Sequence, residues 1–234
     1  MLVFTGTDRL AHFLWDAYED KQHKHHTAFL AHLHQIDEVI GEITQKIDET
    51  DSLLVLSDHG FERLEYDIHL NFFLAQEGFL RFRKTPAQSL ADIDHGTTAF
   101  ALEPARIYLN LEGKYPHGSV KLEDRETIID KLETSLRSLE VNGKKVIERI
   151  CRKEEIYEGP HLHRAPDLVL LPNKGFNLKG GLKATKLFEK DIFTGKHSQK
   201  DAFLLINKPI PDIIQENPSV YDIIGIMNKL RNKC

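Results

Sequence analysis

The chain has 234 residues, 41% of them hydrophobic, and a net charge of −5, with 31 Lys and Arg set against 36 Asp and Glu. That length and apolar content suffice for one large domain, or one domain with an insertion. The charge balance provides no basic footprint for a polynucleotide backbone, so a nucleic-acid polymer is not an expected partner. Of the two cysteines, Cys151 and Cys234, the second is the last residue; they build neither a disulfide framework nor a cysteine zinc motif, and a reducing cytoplasm is the expected location. Met1-Leu2-Val3-Phe4 is apolar, but it lacks a basic flank and Asp8 interrupts it, so neither a signal peptide nor a membrane span is expected.

In chain order, Leu2-Val3-Phe4-Thr5-Gly6-Thr7 reads as a buried strand ending in a turn. Thr7 is placed to cap a helix that opens with Asp8, Leu10, Ala11, His12, Phe13, Leu14 and Trp15. Leu30, Leu33, Ile36, Ile40, Ile43 and Ile47 recur at threes and fours, which predicts a second, amphipathic helix with His32, Gln35, Glu38 and Gln45 on its wet face. Leu53 to Leu56 then forms a strand. A strand, helix, strand order implies a parallel pair with a right-handed crossover, and such sheets carry their chemistry at the carboxyl ends of the strands, where Asp8 and Asp58 lie.

Further along, His69 to Leu80 predicts a short helix closed by Gly78, and residues 86–96 are polar and irregular. Arg106 to Leu111 alternates like a half-exposed strand, Ile128 to Leu139 has helical spacing, and Asn142-Gly143 sets a turn before Val146-Ile147. Two apolar runs, Asp167 to Leu171 and Ala202 to Ile206, predict further core strands, with Gly195-Lys196-His197 just before the latter. The expected fold is therefore α/β, a mostly parallel central sheet flanked by helices with an α+β insertion. The expected organisation is a core segment over 1–85, a cap-like insertion over 86–165, and a return to the core over 166–234.

Asp58 and His59 leave an apolar strand side by side, and Asp and neutral His are good ligands for divalent zinc or manganese. An Asp-His-Gly turn can equally cap a strand, with Gly60 supplying an unusual backbone angle. Asp8 and His12 are four apart, on one face of a helix, a spacing shared by any amphipathic helix. His197 can be a solvated loop residue. What joins the three groups is that each lies beside a predicted core strand. Asp94-His95-Gly96 repeats the tripeptide without the preceding strand and is discounted. His23, His25 and His26 lie in a polar link with no scaffold for a metal, His161 and His163 are candidates only for a rim position, and Arg9 and Lys196 could contact a phosphate but read more simply as solvated residues beside a turn.

The block Phe4-Thr5-Gly6-Thr7-Asp8-Arg9-Leu10-Ala11-His12-Phe13-Leu14-Trp15 resembles the metal-binding block of phosphohydrolases and phosphomutases in the alkaline phosphatase superfamily. Ser57-Asp58-His59-Gly60-Phe61, His69-Leu70-Asn71-Phe72-Phe73-Leu74, Gly78-Phe79-Leu80, Arg106 to Leu111, Glu155-Ile156-Tyr157, Ala165-Pro166-Asp167-Leu168-Val169 and Gly195-Lys196-His197 follow in the family's order. The nucleotide pyrophosphatase and phosphodiesterase branch is the nearest comparison. The resemblance implies two divalent ions, zinc first and manganese second, with Asp8, His12 and His197 on one and Asp58 and His59 on the other. It also implies a Ser or Thr nucleophile, a covalent phospho-enzyme and a small-molecule phosphate ester substrate. In the family that nucleophile and one further Asp ligand precede the block found here at residues 4–15, so they are expected upstream of Met1. The chain then reads as the C-terminal part of a longer enzyme, or as a subunit of a split one, with self-association through the surface so exposed. A phosphomutase and a non-catalytic metal-binding fragment are the alternatives.

Overall fold

A computed structural model describes residues 1–84, 87–102, 104–208 and 218–231; Cys234, Pro86 and residue 85, where the expected core segment ends, lie outside them. The helices are α1 (Gly6–Glu19), α2 (His26–Lys46), α3 (Leu70–Gln76), α4 (Arg125–Ser138), α5 (Lys153–Ile156) and α6 (Ile223–Arg231). The strands are β1 (Leu54–Leu56), β2 (Gly60–Arg63), β3 (Tyr66–His69), β4 (Ala99–Leu102), β5 (Arg106–Leu109), β6 (Glu140–Val141), β7 (Lys144–Lys145), β8 (Ile147–Arg152), β9 (Leu168–Pro172), β10 (Phe176–Lys179), β11 (Phe188–Glu189), β12 (Gly195–Ser198) and β13 (Leu204–Ile206). Two compact units result, one of residues 1–63 with 193–234 and one of residues 64–192. Among the described residues, no helix is long and apolar enough to cross a membrane.

In the first unit, β1 pairs antiparallel with β13, Val55 opposite Leu205. Ile226 and Leu230 of α6 cover this ribbon through Leu54, Leu204 and Ile206. A second antiparallel ribbon joins β12 to β2, with His197 opposite Phe61 and Lys196 opposite Glu62. Helix α1 packs on α2 and on this ribbon. The apolar spacing that predicts α2 holds over its whole length, although His32 is only half exposed and its Nε2 is buried over Gly6.

The second unit holds the larger core. Ile129, Leu132 and Leu136, one stripe of α4, are fully buried against side chains of a four-stranded antiparallel sheet ordered β4-β5-β9-β8. The alternating exposure of Arg106 to Leu109 in β5 is the alternation of its sequence. Asn142 and Gly143 both take positive φ, 53° and 75°, and close the β6–β7 hairpin as that dipeptide predicts. A three-stranded sheet, β10-β3-β11, completes the unit. Asn71 is buried beside it; its Nδ2 donates to Ala101 O at 2.9 Å and Gly180 O at 2.6 Å while its Oδ1 accepts from Ala101 N at 2.7 Å.

Two expectations are corrected. The chain is mixed α/β, but among the described strands only β3 and β10 pair in parallel; every other named pair is antiparallel, in place of a mostly parallel central sheet. Apolar alternation specifies which face of a strand is buried and leaves the sense of pairing open, so Leu53–Leu56 reads the same beside either kind of neighbour. The expected first strand is irregular, with Leu2 and Val3 exposed, because residues 2–4 find no pairing strand among the described residues. The helix accordingly begins at Gly6, and the Thr7 hydroxyl, expected as its cap, lies inside it and donates to Phe4 O at 3.1 Å.

Candidate metal centre

The first unit brings Asp8, His12 and His197 together. Asp8 Oδ1 lies 2.9 Å from His197 Nε2 and 3.6 Å from His12 Nε2, and the two Nε2 atoms are 3.0 Å apart. Asp8 and His12 share a face of α1 as the i, i+4 spacing dictates, whereas His197 arrives from β12, 185 residues later than His12. His59 stacks on His197 with ring centroids 3.7 Å apart, and its Nε2 stands 4.0 Å from Asp8 Oδ1. Among the described residues Asp58 pairs with His59 alone, at 3.6 Å, and its side chain is 83% exposed. Four of the five residues singled out in the sequence thus form one cluster, with Asp58 at its open side.

Backbone carbonyls fix the imidazoles. His12 Nδ1 donates to Gly195 O at 3.0 Å and His59 Nδ1 donates to Gly60 O at 3.1 Å. A carbonyl oxygen only accepts, so each ring carries a proton on Nδ1 and turns Nε2 to the cluster, the nitrogen left to ligate a metal. Burial holds the His197 imidazolium pKa below its ordinary value; the Asp8 carboxylate opposes this and the neighbouring His59 and His12 add to it. The neutral form of His197 is favoured, with Nε2 turned to Asp8.

These donors fit a divalent ion. Ligand atoms about 2.0–2.2 Å from a tetrahedral zinc lie about 3.3–3.6 Å from one another, as the geometry of a tetrahedron requires. In the triangle among Asp8, His197 and His12 the 3.6 Å side has that length and the sides of 2.9 and 3.0 Å are a few tenths of an ångström shorter, and the one-carboxylate, two-imidazole composition suits zinc or manganese.

Several residues that sequence reasoning passed over hold the cluster in place. Helix α1 is kinked at Leu14, which has φ −133° and ψ 28°. At the break, Thr194 N donates to His12 O at 2.8 Å and the Thr194 hydroxyl accepts from Asp16 N at 3.4 Å, so Thr194 stands in the rung that these two helical residues would have shared. Gly195 follows in close contact with the helix: a Cβ there would stand 2.3 Å from Ala11 O and 2.8 Å from Trp15 Cβ. Phe61 presents its edge to His12 and His197 and stacks on Trp15. The one advance signal for these supports is the glycine before Lys196-His197, a residue without a side chain where two backbones meet.

The remaining candidates lie elsewhere. Lys196 is buried and paired with Glu62 at 2.8 Å, in place of the solvated position expected for it beside a turn; Arg9 is exposed. Asp94 Oδ1 accepts from its neighbour His95 N, a local turn, and the His95 ring meets His117. His26 Nδ1 donates to Ala17 O at 2.7 Å, His23 stands 3.9 Å from Asp16, and His25 N donates to His23 Nδ1, so this polar link is tied to the end of α1. His161 and His163 are exposed.

The fold and site define a mixed α/β protein with a preorganised histidine and carboxylate cluster. The chain belongs to the type I phosphodiesterase / nucleotide pyrophosphatase family, whose profile matches residues 1–199. No curated protein matches it. Among solved structures, it is similar to phosphonoacetate hydrolase from Sinorhizobium meliloti 1021 in complex with phosphonoacetate (16% identity, 76% of this chain and 41% of that one, TM-score 0.43). It is also similar to murine ectonucleotide pyrophosphatase / phosphodiesterase 5 (16% identity, 86% of this chain and 44% of that one, TM-score 0.41). The chain therefore spans less than half the length of either.

Proposed function

We propose that this chain carries the metal centre of a phosphohydrolase acting on small-molecule phosphate esters, diesters or monoesters. The observation that carries the reading is the convergence of Asp8 Oδ1, His12 Nε2 and His197 Nε2 within one ion's reach, in a chain of this family. Asp8, His12 and His197 would hold one divalent ion, and His59 with Asp58 would hold a second, zinc being the first candidate and manganese the second. When bound, such ions lower the pKa of a nucleophilic hydroxyl and stabilise the oxygens that enter and leave in an in-line displacement.

The residues' own part is orientation. Gly195 O and Gly60 O keep two imidazoles in the ligating tautomer, and Phe61 and Phe193 wall one side of His12 with apolar surface. The hydroxyls near the cluster have structural partners: Thr7 donates to Phe4 O, Thr194 accepts from Asp16 N, Ser57 accepts from Phe203 N, and Ser198 donates to Lys200 O. By the family resemblance, the nucleophile is proposed to be a Ser or Thr from the segment that in the family precedes the block found here at residues 4–15. The engagement of these hydroxyls favours a second reading, in which the chain by itself is a non-catalytic metal-binding part.

The test is metal content by mass spectrometry after zinc or manganese loading, in the full chain and in Asp8→Ala, His12→Ala and His197→Ala. Stoichiometric metal that each substitution removes is expected; equal content in all four proteins rules the centre out. Turnover of nitrophenyl mono- and diesters by residues 1–234 alone would defeat the non-catalytic reading, and phosphoryl transfer to an added alcohol acceptor, with no release to water, would turn the assignment to a mutase.

A further inference from the structure

Two phenyl rings border His12, and they differ in what lies beyond them. Phe61 presents its edge to the imidazole and is itself stacked on Trp15, with centroids 5.4 Å apart. Phe193 stands 5.5 Å from the His12 ring, centroid to centroid, and 4.9 Å from Phe13. Among the described residues Phe193 is the one ring neighbour of Phe13, which is 48% exposed. A lone exposed phenylalanine is ordinary. This one is joined through Phe193 to a metal-donor imidazole.

Helix geometry explains the juxtaposition. Asp8 and His12 form one row along α1, and Arg9 and Phe13, each one residue further on, form the next row around it. Thr194 N donates to His12 O at 2.8 Å, which holds the preceding residue, Phe193, against the same turn of helix. The donors themselves are open to solvent, the side chains of Asp8 and His197 being 44% and 50% exposed. A ligand therefore has room over the donors and over Phe13 alike.

We propose that Phe13 and Phe193 form the subsite for the ester's organic group, and that this group is a flat aromatic ring. The inference rests on the metal centre proposed above, since the phosphoryl end has to be held at Asp8, His12 and His197 for its ester group to reach the ring pair. Phe13 and Phe193 meet at an interplanar angle of 59°. Rings so inclined offer a third ring a face and an edge at once, the stacked and T-shaped contacts that aromatic groups adopt at centroid separations of about 4.5–7 Å; an alkyl group gains only buried area. Arg9, exposed one helical turn before Phe13 on the same row, complements the negative charge that a phosphate ester brings with its ring.

The experiment titrates benzylphosphonate and methylphosphonate into the zinc-loaded full chain by calorimetry; the first mimics an aryl ester without a cleavable bridging oxygen, and the second has no ring. Benzylphosphonate should bind about tenfold tighter. That ratio should fall to about twofold or less in Phe13→Ala and persist in Phe13→Tyr, which keeps the ring. In 13C-phenylalanine spectra of the unsubstituted chain, benzylphosphonate should shift the resonance that Phe13→Tyr deletes, and methylphosphonate should leave it in place. A ratio near one, a ratio that Phe13→Ala leaves intact, or an unmoved Phe13 resonance would each overturn the subsite while zinc content and methylphosphonate binding still uphold the metal centre. A chain that takes up no zinc and binds neither phosphonate would instead remove the metal centre, and the subsite with it. Sedimentation should give one mass for the unsubstituted chain and Phe13→Ala; a larger mass that the substitution abolishes would assign the ring pair to a second copy of the chain.

Discussion

Thr194 donates its backbone N–H to the carbonyl of His12 at 2.8 Å, at the point where helix α1 breaks. The bond ties the strand that delivers His197 to the helix that delivers Asp8 and His12. The cluster thus depends on a residue that bears no ligand.

Substituting Thr194→Val keeps the backbone bond and removes the hydroxyl that accepts from Asp16 N. The expected loss is about 1 kcal/mol, typical of one hydrogen bond to a half-buried amide. Zinc affinity should fall with it by a few fold, because Asp16 N at the break in α1 then loses its acceptor and the hold of the strand on the helix loosens. Urea unfolding, with zinc titration on the same samples, checks both; an unchanged zinc affinity would show that Thr194 supports the fold alone.

Gly195→Ala places a methyl 2.3 Å from Ala11 O and 2.9 Å from a Phe61 ring carbon. Backbone is on one side and the aromatic wall on the other, so the helix must move off the strand. A destabilisation of about 1–3 kcal/mol is expected, as for other overpacked sites. Stoichiometric metal should also be lost, since separating α1 from β12 separates His12 from His197. Metal content equal to that of the unsubstituted chain would contradict this.

In the second unit, Leu132→Ala removes a fully buried side chain from the centre of the α4 stripe. Loss of transfer energy and the cavity left behind cost about 2–5 kcal/mol. The metal donors belong to the other unit, so metal content per folded molecule should be unchanged. Calorimetric melting together with metal analysis separates the two effects.

Tyr115 gives a pH dependence of definite sign. Its pKa is about 12 in the fold against 10.0 in its ordinary state, burial being the main cause. Between these values the unfolded chain has released the phenolic proton and the folded chain has kept it, so this contribution is fully present below pH 10 and declines as the pH rises toward about 12. Urea midpoints across that range should fall more steeply in the unsubstituted protein than in Tyr115→Phe. Parallel slopes would show that Tyr115 ionises as freely in the fold as in the unfolded chain.

What was legible in the sequence is local. The apolar periods of α2 and α4 specify helices because neighbours at i+3 and i+4 meet whatever the rest of the chain does, and Asn142-Gly143 specifies its turn because few other residues accept two positive φ angles. Asp8 and His12 fall on one helical face for the same reason, and the ordered motifs name the family across residues 1–199. The tertiary structure alone decided that β1 meets β13 in antiparallel sense, that Leu2 and Val3 stay exposed, and that Asp58 stands at the open side of the cluster. It alone placed Thr194 in the break of α1, Gly195 against Ala11, and Asp167 between Lys153 and Arg125. These are contacts between distant segments. A residue's neighbours in sequence constrain its backbone angles and its buried face, but partner and pairing sense are set by which packing of the whole unit satisfies the most buried groups together.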